Sequence, residues 1–150
     1  DIVWAVNNED ISWWIGPGGE DYFTCNAEAT SRQVEIRRIF IIDKNDNSID
    51  KYKIISVIET QVEREIQVFV ISKEKAISVP GFSSESQKSW FVTKDICGWS
   101  HQDATHNIIE SFVTDNQKRM SGLKNLAVRL QNSSELANEY LMRVKSNENI

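Results

Sequence analysis

The chain is poor in the residues that most often build metal sites and disulfide scaffolds. It has two cysteines, two histidines, two prolines and six glycines in 150 residues. Cys25 and Cys97 lie far apart and neither has a second cysteine close in sequence, which excludes a disulfide framework and a cysteine zinc motif. We predict that both are buried or half-buried thiols in a reducing cytoplasm, Cys25 on a helix and Cys97 near the end of a strand.

Long hydrophobic runs and an excess of positive charge are also missing. Apolar runs such as residues 39–42 and 68–71 fall far short of the ~18–20 residues of a membrane span. Basic residues number 17 against 22 acidic ones, so the formal net charge is −5. A protein that follows a phosphate backbone, or binds an anionic membrane, needs a positive surface. We therefore expect neither a membrane nor a nucleic acid as a partner.

The composition is that of a globular protein, and the first half of the chain alternates between strands and helices. Hydrophobic residues make up 40% and charged residues 26% of the sequence. We interpret residues 1–150 as one α/β domain that belongs to a longer protein. Apolar and β-branched runs predict strands over residues 2–6, 34–42 and 66–71, and helical spacing predicts helices over residues 20–32 and 48–64.

The second half has a different pattern. Residues 72–88 are polar and are predicted to form a long loop. Three short strands follow, over residues 89–93, 96–99 and 107–114, with no helical pattern between them, so we expect antiparallel pairing at one edge of the sheet. Helices are predicted over residues 116–131 and from Ser133 onward. Together these elements predict a three-layer α/β sandwich whose mixed sheet is mostly parallel, with an antiparallel edge hairpin.

One segment resembles a known family. Residues 13–42 carry Tyr22-Phe23, Asn26, Arg32 and the run Val34-Glu35-Ile36-Arg37-Arg38-Ile39-Phe40. With the order of the predicted elements, this segment resembles a single repeat of the phospholipase-D-like fold, of the uncharacterised kind found in prokaryotic signalling and regulatory proteins. The resemblance implies a cytoplasmic regulatory module.

The catalytic motif of that superfamily is absent. Its chemistry needs His-x-Lys-x-x-x-x-Asp, with the histidine as nucleophile and the lysine neutralising phosphate charge. In register, this chain has Ser86, Lys88 and Thr93, and Asp95 comes two positions late. A serine and a threonine cannot replace the imidazole and the carboxylate. The resemblance therefore implies a degenerate, non-catalytic domain, for which we expect no metal and no other cofactor.

The N-terminal region supplies the candidate binding residues. Two adjacent tryptophans cannot both point inward, and neighbouring arginines on a strand point to opposite faces. The candidate ligand-binding residues are Trp13, Trp14, Tyr22, Arg37 and Arg38. The structural alternative for a buried arginine is a pair with Asp10, Glu20 or Glu35, because a buried charge must be paired.

Three functions follow from these observations. The first hypothesis is a non-catalytic sensor, adaptor or ligand-binding module that takes a small anionic or nucleotide ligand. The second is an enzyme acting on a phosphodiester or nucleotide with an atypical site, formed from Lys88, Asp95, His101 and Asp103. The third is a protein-interaction or dimerisation domain. The superfamily site forms where two repeats face each other, so a single repeat predicts a homodimer.

Overall fold

The fold is an alternation of strands and helices followed by a strand-rich second half. A computed structural model describes residues 1–7, 17–45, 50–83, 89–102 and 108–147. The first half of these residues forms β1 (Ile2–Asn7), α1 (Pro17–Ser31), β2 (Glu35–Ile42), α2 (Lys51–Glu63) and β3 (Gln67–Ser72). The second half forms α3 (Lys73–Ser78), β4 (Ser89–Val92), β5 (Cys97–Gln102), β6 (Ile108–Thr114), α4 (Gln117–Asn132), β7 (Glu135–Leu136) and α5 (Ala137–Asn147).

The seven strands of the described residues belong to one mixed sheet, in the order β6-β5-β4-β1-β2-β3-β7. The pairs β1–β2 and β2–β3 are parallel, as expected for strands separated by crossover helices. This confirms the α/β class, the mixed sheet and the antiparallel strands at one edge. The prediction of a mostly parallel sheet was wrong. Four pairings are antiparallel, namely β1–β4, β4–β5, β5–β6 and β3–β7. The short links between β4, β5 and β6 leave no room for a crossover.

Helices cover both faces of the sheet, which confirms the three-layer arrangement. Successive residues of a strand point to opposite faces. On one face, Ile39 and Ile41 of β2 belong to a buried cluster that includes Ala76 of α3 and Leu126 of α4. On the other face, side chains of β2 and β3 pack against α2 and α5, in a cluster that includes Ile36, Phe40, Ile54, Ile58, Tyr140 and Val144. No helix among the described residues is long and apolar enough to cross a membrane.

Two short elements were not predicted. Residues 73–78 form α3 inside the expected loop, and the Ser72 hydroxyl caps it by accepting a hydrogen bond from the Lys75 amide. A helix of this length is too short to show helical periodicity. The last helix was predicted from Ser133, but it begins at Ala137 because Glu135 and Leu136 pair with Val70 and Phe69 of β3.

The two cysteines have different environments. Cys97 is buried at the start of β5, and burial raises the pKa of its thiol, an effect that nearby Arg119 opposes. Cys25 lies on α1, as predicted, but it is exposed. The prediction of a buried or half-buried Cys25 was wrong, because its position on α1 faces solvent rather than the sheet.

Candidate functional site

The aromatic part of the predicted binding region lies mostly outside the described structure. Trp13 and Trp14 are not among the described residues. Tyr22 lies in α1, but its side chain is not among those described. The aromatic contribution to an N-terminal ligand site therefore stays a prediction, and only Arg37 and Arg38 can be located in full.

Arg37 occupies the face of β2 that carries α4. Its Nε donates to Glu35 Oε1 at 2.6 Å, which is one of the structural pairings expected for these arginines. Its guanidinium carbon lies 4.9 Å from the centre of the Trp4 ring, on the neighbouring strand. Arg37 is only partly buried, so its charge stays near water while its stem covers the indole.

Arg38 occupies the opposite face and is fully buried, with 0% of its surface exposed. Its Nη1 donates to Gln61 Oε1 of α2 at 3.2 Å, and its Nη2 donates to Asn26 Oδ1 of α1 at 3.4 Å. Gln61 and Asn26 are themselves buried. Because buried polar groups are stable only when hydrogen-bonded, the guanidinium ties two helices to the central strand. This is a structural arrangement like the paired alternative considered above, with amide oxygens among the partners.

The residues of the alternative enzyme site are largely outside the described structure. Lys88 and Asp103 lie there, and so does the side chain of His101. Asp95 is exposed in the turn between β4 and β5. Thr93, at the position where the family motif has aspartate, accepts hydrogen bonds from the amides of Asp95 and Ile96, both at 3.1 Å. Its hydroxyl therefore shapes the β4–β5 turn.

A cavity that the sequence did not indicate lies at the ends of β2 and β3. It has a volume of about 340 Å³ and is lined by parts of β3, α3, β7 and α5 and the residues beside them. We call it the Tyr140 pocket. The carboxyl ends of parallel strands, where helices begin and loops diverge, are the usual place for ligands in open α/β sheets. Ile42 and Ser72 end β2 and β3 at this cavity.

Hydroxyl groups and cations line the Tyr140 pocket. Ser72, Ser133, Ser134 and Tyr140 contribute side chains with hydroxyls, and Lys44, Lys75 and Arg143 contribute positive charge. Glu135 is the single acidic residue among the described residues of the lining, and it accepts a hydrogen bond from Arg143 Nη2 at 2.6 Å. That hydrogen bond is the main reason why the pKa of Arg143 is raised. No ion pair joins Lys44 or Lys75 to a carboxylate in the described residues.

Tyr140 is the most unusual residue of the pocket. It is 2% exposed, and its hydroxyl is buried without a hydrogen-bond partner among the described residues. Leaving a buried hydroxyl without a partner costs about 1–3 kcal/mol. Its ring lies 5.4 Å from the Arg143 guanidinium carbon. Tyr140 therefore combines a buried polar atom, without a hydrogen-bond partner among the described residues, with a position in the lining of the cavity.

We expect the Tyr140 phenol to lose its proton at a higher pH than an ordinary tyrosine does. Burial raises its pKa from 10.0 to about 12, while Arg143 lowers it and Glu135 raises it further. The folded chain therefore keeps a proton that the unfolded chain loses, so this contribution to stability is complete below pH 10 and is lost as pH rises toward 12. We expect denaturant midpoints of the native chain to fall more steeply above pH 10 than those of Tyr140→Phe. Equal slopes, or three tyrosines all titrating at the ordinary value in the near ultraviolet, would contradict this.

Sequence patterns could not indicate this pocket. Its cationic residues, Lys44, Lys75 and Arg143, are separated by dozens of positions and share no motif. The run Ser133-Ser134-Glu135 is local, but by its pattern it predicts only the start of a helix. Among the described residues, no three side chains that could bind a metal come together.

Comparison with known proteins adds no assignment. No protein-family model matches the chain, and no curated protein is significantly similar to it. The resemblance to phospholipase-D-like domains therefore stays a prediction based on residues 13–42 and on the element order.

Proposed function

We propose that the chain is a non-catalytic module of a cytoplasmic regulatory protein and that it binds a small anionic ligand in the Tyr140 pocket. The observation that carries this proposal is a cavity lined by three cationic side chains, beside a buried Tyr140 hydroxyl that has no hydrogen-bond partner among the described residues. The same proposal includes the degenerate phospholipase-D-like relationship and the homodimer expected from a single repeat. Both are supported only by the sequence pattern.

The chemistry of the pocket suits a phosphate or carboxylate group. Lys44 and Lys75 supply two charges that no described carboxylate neutralises, and both are exposed, so they can move toward a ligand. Arg143 presents a planar set of N–H donors that fits two oxygens of one anionic group. The buried Tyr140 hydroxyl would donate to the same group once its side chain moves toward the pocket, and hydrogen bonds to charged acceptors are the stronger ones.

The size of the pocket favours a small metabolite over a nucleotide. Its volume of about 340 Å³ is near the lower end of the range for ligand cavities, roughly 300–1,000 Å³. Tyr140 is the only aromatic residue among the described residues of its lining, and it is buried with its ring beside Arg143, so this part of the lining offers no exposed ring to stack on a base. A phosphorylated or multiply carboxylated metabolite matches the charges and the volume.

The hydrogen bonds of the Thr93 hydroxyl support the proposal that this module lacks the hydrolytic activity of the phospholipase-D-like superfamily. Its hydroxyl is engaged in the β4–β5 turn, where the superfamily would place a catalytic aspartate. Replacement of a carboxylate by a turn-forming threonine is what we expect where a fold is kept for binding.

A thermal-shift screen tests the proposal. Inorganic phosphate, small sugar phosphates and tricarboxylates would each be added to the purified chain, and a ligand at a hundred times its dissociation constant stabilises the folded state by about 2.7 kcal/mol. We expect at least one to raise the melting temperature. The double variant Lys44→Ala/Lys75→Ala should weaken binding about tenfold or more, whereas Lys94→Ala, which removes an exposed lysine beside Asp1, should not.

Tyr140→Phe separates binding from folding. Because the hydroxyl has no partner among the described residues, its removal should leave stability within about 1 kcal/mol of the native chain or raise it. Ligand affinity should nevertheless fall. The proposal is wrong if no anion shifts the melting temperature, or if the shift survives unchanged in the Lys44→Ala/Lys75→Ala variant. A shift lost only in Trp14→Ala would assign the ligand to the N-terminal aromatic region instead.

A further inference from the structure

The sheet has one long edge strand whose outer side is not paired in the described residues. β6 is the last strand on its side and has seven residues, whereas β7 at the other edge has two. An unpaired edge presents a row of backbone N–H and C=O groups that can pair with another extended chain. Phe112 and Val113 of this strand are large apolar side chains that are 41% and 66% exposed. β6 is thus both long enough and apolar enough to receive a partner.

An aromatic and cationic groove borders this edge. Its volume is about 550 Å³, and it is lined by Trp99, Thr114, Asn116, Lys118 and Arg119. The Arg119 guanidinium carbon lies 3.8 Å from the centre of the Trp99 ring, and the Trp99 and Phe112 rings stack with centres 5.4 Å apart. The groove is therefore a preformed surface between the start of α4 and the end of β6.

The described residues that line the groove carry positive charge, from Lys118 and Arg119, although the chain has a net charge of −5. Glu110 of β6 and Asp115, which precedes α4, are acidic but are not among these lining residues. Lys118 and Arg119 are exposed, and no ion pair joins either to a carboxylate in the part of the chain that the structure describes. A complementary partner must supply negative charge.

We propose that the β6 edge and the adjacent α4 groove dock an extended acidic peptide from a partner protein. The peptide adds a strand beside β6, and its acidic side chains lie against Lys118 and Arg119. A nucleic acid fits less well, because the Trp99 ring already packs against the Arg119 guanidinium and the Phe112 ring, which compete with a stacking base. This docking surface is independent of the Tyr140 pocket.

Fluorescence anisotropy with a labelled ten-residue peptide of alternating Glu and Val tests the proposal on the full chain. We expect saturable binding that weakens with salt, and no binding of the matched Lys–Val peptide. Lys118→Glu with Arg119→Gln should raise the dissociation constant about tenfold or more. Lys118→Glu alone, at an exposed position, keeps the test valid if the double variant unfolds. The matched control Lys124→Glu lies on the same helix but outside the groove lining and should retain most of the affinity.

Backbone pairing has its own control. A Glu–Val peptide methylated at every backbone nitrogen keeps the side chains but has no backbone N–H to donate to β6, so its binding should be lost. Failure of the unmodified peptide to bind, or equal binding by the methylated peptide or by the charge-reversed variant, overturns the proposal. Binding of a labelled oligothymidylate that the same variants abolish would overturn it in favour of nucleic acid. A dimer seen by light scattering and lost in those variants would overturn it in favour of a second copy.

Discussion

Arg38→Ala is expected to lower the free energy of unfolding by about 3–5 kcal/mol. The substitution removes the donor to Gln61 and Asn26 at 3.2 and 3.4 Å and leaves their amide oxygens buried. It also opens a cavity at a position with no exposed surface. A domain of this size has a total stability of roughly 5–15 kcal/mol, so the loss would shift the thermal midpoint by about 10 °C.

Arg37→Ala is the matched control, since it makes the same change one residue away on the opposite face. It removes a partly exposed ion pair and a contact with Trp4, which together should cost about 1 kcal/mol or less. Chemical denaturation of the two variants measures the difference. If Arg38→Ala were no more damaging than Arg37→Ala, Arg38 would not hold α1 and α2 to the sheet. A loss of anion binding without a loss of stability would then favour the ligand role considered from the sequence.

Gly98→Ala is expected to destabilise the β4–β5–β6 region by about 1–3 kcal/mol. A Cβ at this position would lie 2.6 Å from Phe91 Cε1 and 2.8 Å from the Phe112 carbonyl oxygen. The Phe91 ring lies over Gly98, its direct partner in the β4–β5 pairing. The ring can move, but the carbonyl oxygen belongs to the neighbouring strand, so relief requires a shift of the β5–β6 ladder.

Gly122→Ala should have the opposite sign. Gly122 lies inside α4, and a Cβ there would meet nothing within 4 Å. Alanine is favoured over glycine in a helix interior by about 1 kcal/mol, mainly because glycine loses more backbone freedom on folding. Both variants replace glycine with alanine, so thermal melts compare the effect of the same substitution at two positions. If both changed stability in the same direction, the close approach of Phe91 and Phe112 to Gly98 would not be the cause.

The elements that could be predicted from the sequence are those whose apolar residues recur over more than two turns of helix or along a buried strand. Ile54, Ile55 and Ile58 give α2 its buried side, and Met120, Leu123 and Leu126 do the same for α4. The helix α3 and the two-residue strand β7 escaped prediction for the same physical reason. Neither is long enough to repeat a pattern, and β7 exists only because β3 offers it an edge.

The candidate site was less predictable than the fold. The opposite orientations of Arg37 and Arg38 follow from strand geometry and are confirmed by their contacts with Trp4 and with Gln61. The partners of Arg38, however, come from two helices whose relative positions no local pattern specifies. The Tyr140 pocket is even less predictable from sequence. Whether the Tyr140 hydroxyl finds a hydrogen-bond partner among the described residues depends on all the segments that pack around it.

Local composition and periodicity by themselves determined the α/β class, the two parallel βαβ units and the antiparallel β4–β6 edge, since each depends on residues close together in the chain. Tertiary structure alone decided that antiparallel pairings outnumber parallel ones and that Cys25 is exposed. It also brought Lys44, Lys75 and Arg143 around one cavity. These features depend on how segments that are distant in sequence pack together. That packing is determined by the interactions of the whole core rather than by any local pattern.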